Sequence, residues 1–457
     1  MESNENKKFP RSFWTANVTE LFERGAYYAM ASFVVIYLGQ LGLGDYWPSV
    51  LNGVLWTLIY FLPILSGTIA DQVGFRKSLI LAFILLTAGY LFMGSPVWSG
   101  GAELSDTVGK EFTAGIDVLL PLLLGILLIG VGGSFVKPCI SGTVQKTAVG
   151  KATLGFAIFY MVINIGSLFG RGVSYAVRTK MNDLSLIFAV AAACSILALL
   201  TVIFVYRDPE VELGEGAVSK PRKSVGEILI GMVTVLKNAR FALFLLVSSG
   251  FFFLYAQVYN VLPLYLKRVV ETDPAVDLYT MANPFVIVFF QLLITKLFGK
   301  MRPIRSIIVG TIIIALSMII NLIPIFFADN VRVAFMGWLP VGSVMIILTV
   351  AMIAFGELFT SARSYKYIGA LAPKGQEGLF LGYANLPMAI GALVGGPAGA
   401  AIFNEIMAKN AVELENGLLE LDPFYNAMGW TVLMGIGLAS AISMVLYNQW
   451  IERHPAK

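Results

Sequence analysis

The sequence predicts an all-α membrane protein whose helices fall into two sets of six, and three observations carry that prediction. The 457-residue chain is 57% hydrophobic, 13% charged and has a mean hydropathy of +0.79, too apolar for a water-soluble protein of two or three domains. Its apolar stretches recur at lengths that cross a hydrocarbon layer of about 30 Å. Charged residues inside those stretches are few and share single helical stripes, the arrangement required where they face protein or water rather than lipid.

Taken in order, the apolar stretches run near 13–43, 50–70, 77–95, 118–145, 152–179 and 184–206, then 241–266, 278–299, 304–327, 333–362, 376–407 and 425–449. The reading therefore divides the chain into an N-terminal bundle (1–206), a linker (207–240) and a C-terminal bundle (241–457). The linker opens with Asp208, Glu210, Glu212 and Glu215 and continues with Lys220, Arg222 and Lys223, the most charged segment of the chain. Its later part, Val225 to Leu236, is apolar enough for a surface-lying amphipathic helix or for an extension of the seventh span. Basic residues concentrate in the termini and alternate loops (Lys8, Arg11, Arg76, Lys77, Lys146, Arg240, Arg302), and acids in the opposite loops (Asp45, Glu103, Glu111, Glu271, Asp273). By the positive-inside rule both termini and the linker are expected in the cytoplasm. No cleavage site follows a short apolar core, so the first apolar run reads as a retained helix.

The first span holds Glu20, Glu23, Arg24, Tyr27 and Tyr28, at i, i+3, i+4, i+7 and i+8, which places two acids, one base and two phenols on one stripe. Each ionised side chain near mid-bilayer costs about 2.5 to 3.5 kcal/mol on insertion scales, so such a stripe implies a buried polar cavity rather than a lipid-facing surface. In the fourth span Lys137 is a lone base followed by Pro138, which frees a backbone carbonyl. Snorkelling to an interface is the competing reading for Lys137. Its nearest charged flank, Lys146, lies about 14 Å away along the helix, which favours a cavity role. Tyr160 and Asn164, at i and i+4 in the fifth span, suit either helix bridging or ligand contact. Asn283 beside Pro284 and the solitary carboxylate Glu357 are the corresponding polar residues of the second half. A zwitterion needs a cationic and an anionic pole with amides and phenols around them, and these residues supply both.

Between the second and third spans, Gly67-x-x-x-Asp71-x-x-Gly74-x-Arg76-Lys77 resembles the loop signature of the major facilitator superfamily, with Phe75 where Arg is common. That resemblance implies twelve transmembrane helices in two six-helix bundles around a central cavity, with alternating access by rocking, and makes Gly67, Asp71, Gly74 and Arg76 a conformational gate. The pattern Glu20-x-x-Glu23-Arg24-x-x-Tyr27-Tyr28 further resembles the first-helix signature of the proton-coupled oligopeptide transporter family within that superfamily. Gly132-Gly133-x-x-x-Lys137-Pro138-Cys139, Phe159-Tyr160-x-x-x-Asn164-Ile165-Gly166, Asn283-Pro284 and Gly356-Glu357-Leu358, followed by Pro373, resemble its later helices in order. The resemblance implies that Arg24 and Lys137 receive a peptide carboxylate and that Glu357 with Asn164 and Asn283 receives its amine. It also implies that Tyr28, Tyr60 and Tyr160 contribute to the substrate site and that Glu20, Glu23, Arg24 and Lys137 couple transport to protons.

Three positions depart from the family pattern. Gly25 stands where Phe is usual and would open space beside Arg24, Ala256 stands where the seventh span often carries a second carboxylate, and the eleventh span lacks a Trp. The expected function is proton-coupled symport of di- and tripeptides or similar zwitterions. A divergent carrier for another small organic anion or drug-like compound, possibly exporting it, is the alternative. An enzyme is disfavoured because the only histidine is His454, and no His, Cys or paired-Asp set sits near a membrane face. The expected partners are a small zwitterionic cargo, protons and bilayer lipid. No cofactor, metal or nucleic acid is expected, Cys139 and Cys194 read as buried thiols, and the carrier is expected to be a monomer in a bacterial inner membrane.

Overall fold

The computed structural model describes residues 8–105, 108–148, 152–181, 183–212, 225–327, 330–371, 380 and 383–454. Among them, ten helices are long and apolar enough to cross a membrane. An eleventh is formed by Arg11–Ala31 and Val34–Leu43, bent by 48° between them. Ala152–Met181, a continuous helix of 30 residues, completes the predicted order as the fifth span. The others are Trp47–Ala70, Phe75–Trp98, Ile116–Thr147, Leu186–Glu212, Ala239–Val270, Val276–Phe298, Pro303–Phe326, Val341–Tyr365, Leu386–Met407 and Pro423–Arg453.

Two expected boundaries move. The tenth span begins at Val341, because Ala334–Phe335 and Leu339–Pro340 pair as a short antiparallel hairpin. Met336 and Gly337 at its tip have φ of 52° and 77°, so the backbone turns before the helix can start. Val225–Leu236 is a separate helix, not an extension of the seventh span. Asn238 leaves helical geometry at ψ 97° and its side chain caps the next helix by accepting from Phe241 N. Residues 213–224 of the linker, and Pro373 with its neighbours 372–379, lie outside the described residues.

The helices form two compact units: Met1–Ala31, Leu58–Ala102 and Gly115–Gly231 in the first, and Ser32–Thr57, Glu103–Ala114 and Met232–Lys457 in the second. In the first, the opening helix packs on the fifth and sixth spans, and the third span packs on the fourth and sixth. A Cβ at Gly170 would lie 2.3 Å from the carbonyl oxygen of Gly25, so the first and fifth spans close to a distance only glycine permits. Gly25 therefore brings two helices together rather than opening a space beside Arg24, and the Phe169 ring covers its remaining face, 3.3 Å from where a Cβ would sit.

Prolines decide two further joints. Pro138 cannot donate to the Ser134 carbonyl four residues back, and Ser66 Oγ of the second span supplies that hydrogen bond at 2.8 Å. In the second unit Pro263 likewise leaves the Tyr259 carbonyl, which accepts from Asn52 Nδ2 at 3.1 Å, while the same nitrogen also reaches Asn260 Oδ1 at 3.1 Å. The seventh span is accordingly broken at Gln257–Tyr259, a 3₁₀ turn. At its end, Arg268 pairs with Asp45 at 3.6 Å in a buried setting.

The acidic start of the linker staples the first unit. Asp208 accepts from the backbone N–H of Arg76 at 2.9 Å, Glu210 pairs with Lys146 at 2.6 Å, and Glu212 accepts from the N–H groups of Arg11 and Ser12 at 2.9 and 2.8 Å. Three carboxylates thus satisfy the orphan donors or charges at the ends of three helices. Glu212→Ala, which removes the cap of the first helix, should destabilise the detergent-solubilised protein by about 1 kcal/mol. Glu210→Ala, which removes a half-buried, solvent-accessible ion pair, should cost less than that. Thermal unfolding of both variants checks the order, and equal losses would show that capping is not the cause.

Candidate functional site

The site begins with the first span, where the chain has buried three charges within one turn and a half. Glu20, Glu23 and Arg24 are 0, 2 and 3% exposed. Arg24 Nη2 donates to Glu23 Oε1 at 2.7 Å and Nε donates to Glu23 Oε2, a two-pronged arrangement that fixes the guanidinium plane. Glu20, one turn back, stands 3.4 Å from Arg24 Nε. Neither Glu20 oxygen accepts a hydrogen bond among the described residues, so its ionised form rests on Coulomb attraction alone. The guanidinium lies 5.1 Å from the Tyr27 ring centroid and 5.9 Å from that of Tyr28.

The fourth and fifth spans add to this group within the first unit. Lys137 Nζ sits 5.6 Å over the Tyr60 ring. A Cβ at Gly67 would lie 3.2 Å from Pro138 Cβ, so the second span closes on the fourth just beyond Lys137. Asn164 is buried and its Nδ2 bonds within its own helix to the Tyr160 carbonyl at 2.9 Å. Gly166, half a turn further, lets the fifth span approach Arg24, whose Cβ lies 2.7 Å from where a glycine Cβ would be. Glu20, Glu23, Arg24, Tyr28, Tyr60, Lys137, Tyr160 and Asn164 therefore all belong to one compact unit.

Arg171 is a buried charge that the motifs do not include. Arg171 is fully buried, continues the Tyr160, Asn164 stripe through Ser167 at i+7 and i+11, and stacks 4.5 Å from the Tyr28 ring centroid. Its Nη1 donates to Ser167 Oγ. The helical spacing was a usable signal for it.

In the second unit, Asn283 Nδ2 donates to Glu357 Oε2 at 3.3 Å, so the eighth and tenth spans bring the predicted pair together. Ala256 is packed against the eleventh span: a Cβ at Gly395 would lie 3.3 Å from Ala256 Cβ, and Gln257 Nε2 binds the Gly395 carbonyl at 3.1 Å. A carboxylate at 256 would have to displace that helix. Of the expected gate, Gly74 has φ +97° and turns the chain between the second and third spans, and Arg76 Nη2 donates to the Ile203 carbonyl at 2.6 Å. The Asp71 side chain lies outside the described residues.

This architecture is that of a known class of carriers. Residues 13–356 match the family model described as Major Facilitator Superfamily, and the chain belongs to that superfamily. Several of the solved structures the chain resembles are titled as POT peptide or POT family transporters, the family whose first-helix signature Glu20 to Tyr28 resembles. Dipeptide and tripeptide permease A of Escherichia coli is 23% identical over 96% of this chain and 91% of its own length. Solute carrier family 15 member 1 of Oryctolagus cuniculus is 28% identical over 38% of this chain and 25% of its own. Among solved structures, a POT family transporter in complex with a thioalcohol-conjugated peptide superposes with a TM-score of 0.72 at 19% identity, covering 97% of both chains. Another, in complex with 5-aminolevulinic acid, gives 0.70 at 20% identity over 96% and 97%.

The pair geometry makes a direct prediction. Lys137→Gln should abolish uptake while leaving membrane insertion intact, because removing a buried charge eases insertion. Arg24→Gln should abolish uptake too, but it leaves Glu20 and Glu23 without their counter-charge and should also lower stability. Wild-type transport by Lys137→Gln would make Lys137 structural.

Proposed function

We propose that this protein is a proton-coupled symporter of di- and tripeptides or similar zwitterions, built as two six-helix halves (1–206 and 241–457) joined by the segment 207–240. The observation that carries the reading is the buried Glu20, Glu23, Arg24 cluster with Lys137 in the same unit. The full-length relative supports it, being a dipeptide and tripeptide permease by name. In this reading both termini are cytoplasmic, the carrier lies in a bacterial inner membrane, and it works as a monomer.

Arg24 and Lys137 receive the cargo carboxylate, and Glu357, with Asn164 and Asn283, receives the amine. Tyr28, Tyr60 and Tyr160 supply aromatic and phenolic surface. Gly67, Asp71, Gly74 and Arg76 act in the conformational gate. A proton arriving on Glu20 or Glu23 weakens the hold on Arg24 and frees the guanidinium for the cargo, and by linkage bound cargo favours the protonated acid. Glu20 is the first candidate to accept it, since no hydrogen bond supports its charge. With Ala256 in the seventh span, coupling falls on the first span. A proton moving through 100 mV supplies about 2.3 kcal/mol, enough for about 50-fold accumulation of a neutral cargo in a one-to-one cycle.

The decisive experiment is uptake of a labelled dipeptide into proteoliposomes with and without an imposed proton gradient. Accumulation above equilibrium is expected only with the gradient, and uptake that merely equilibrates with or without it would refute symport. Glu20→Gln and Glu23→Gln should lose gradient-driven accumulation while counterflow exchange stays measurable. If both still concentrate cargo, coupling lies elsewhere. A dipeptide acetylated at its amine loses the charge that pairs with Glu357 and should compete at least 100-fold less well, from a cost on the order of 3 kcal/mol. Equal competition by the acetylated and free forms would give Glu357 another role.

A further inference from the structure

A cleft of about 590 Å³ opens between the first and sixth spans where the first helix starts, lined by Phe9, Arg11, Trp14, Val18, Thr201 and Val205. It lies wholly within the first unit. Its aromatic wall is fixed by packing: Phe9 stacks on Phe13 at 4.1 Å between ring centroids, and Trp14 meets the two rings edge-on at 6.1 and 5.2 Å. Trp14 is nonetheless 51% exposed and Val18 42%. Away from the helix start the apolar surface continues along the sixth span through Leu200 and Leu197, one turn from Thr201, and both are exposed. The trough is thus open to the hydrocarbon side.

Its mouth is basic. Arg11 is exposed, and its guanidinium has no partner among the described residues, although its backbone N–H donates to Glu212. Lys8 and Arg207, next to Phe9 and two residues beyond Val205, are exposed as well. The acids of this end are already engaged. Glu212 accepts from the N–H groups of Arg11 and Ser12, Asp208 from that of Arg76, and Glu210 pairs with Lys146. Three bases therefore stand over an apolar trough, with an indole at the boundary between them. Long basic side chains reach from such a position to headgroup level, where Trp also settles.

We propose that this cleft is a binding site for an anionic glycerophospholipid, with Arg11 on the phosphate and an acyl chain along Trp14, Val18 and Leu197. Charge complementarity selects the lipid: a phosphatidylglycerol headgroup brings a net negative charge to Lys8, Arg11 and Arg207, whereas the ammonium of phosphatidylcholine is repelled by them. One base near the membrane surface changes the affinity for an anionic lipid by about fivefold. The site is separate from the cargo residues, and it stands whether or not the cargo is a peptide.

The test is fluorescence quenching by brominated lipids in phosphatidylcholine proteoliposomes, reading the Trp14 component as the difference between wild type and Trp14→Phe. Brominated phosphatidylglycerol should quench that component at a mole fraction at least fivefold lower than brominated phosphatidylcholine. Arg11→Gln, which keeps the backbone bond to Glu212, should lower this preference about fivefold, and Arg11→Lys should retain it. Lys300→Gln, which removes an exposed base of the second unit, should leave it unchanged. Equal quenching by the two lipids would mean that ordinary bilayer lipid fills the cleft, and no quenching of Trp14 by either would mean that protein, such as a second copy of this chain, covers it. Either result overturns the proposal. So does a preference that is undiminished in Arg11→Gln, lost in Arg11→Lys or equally reduced by Lys300→Gln.

Discussion

The bidentate Glu23–Arg24 pair, with Glu20 one turn away, is the constraint around which the first unit is built. Ionised groups at that depth are tolerable only when they meet counter-charges or polar surface, and here the counter-charges sit on the same helix. Because Arg24 meets Glu23 on its own helix, the surrounding helices are free to pack by shape. The fifth span uses that freedom, closing on the first through Gly166 and Gly170 so that its polar stripe lies beside the charged one.

The same physics governs the helix breaks. Inside a hydrocarbon layer a backbone carbonyl left by a proline must find a donor in the protein, and the second span supplies two of them, Ser66 to the Ser134 carbonyl and Asn52 to that of Tyr259. The breaks are therefore pinned joints rather than loose kinks. Outside the apolar spans, helix ends need partners too. Asp208, Glu210 and Glu212, which in the sequence look like a solvated charged linker, are committed to the ends of the third, fourth and first helices.

Membership of the major facilitator superfamily fixes the plan, and the departures from the peptide-transporter pattern show how this chain modifies it. Ala256 and Gln257 close the seventh span on the glycines of the eleventh, which trades an ionisable group for close packing. Gly25 likewise lets the first and fifth spans pack closely, and the fifth span sets Arg171 against the Tyr28 ring.

The sequence by itself determined the membrane class, the order of spans and most of the chemistry. Helical periodicity at 3.6 residues per turn suffices to put Glu20, Glu23, Arg24 and Tyr28 on one face, and the scarcity of charge in apolar runs singles out Lys137 and Glu357. Arg171 is legible by the same helical spacing from Tyr160. Tertiary structure alone decided the rest, because the answers depend on which helices touch. Whether Gly25 makes a hole or a contact is set by Gly170, far away in the chain. Whether Pro263 weakens the seventh span is set by Asn52, and whether the acids after the sixth span are solvated is set by the helix ends they reach. Local pattern fixes a residue's face and cost of burial, but only the packed neighbours fix what satisfies it.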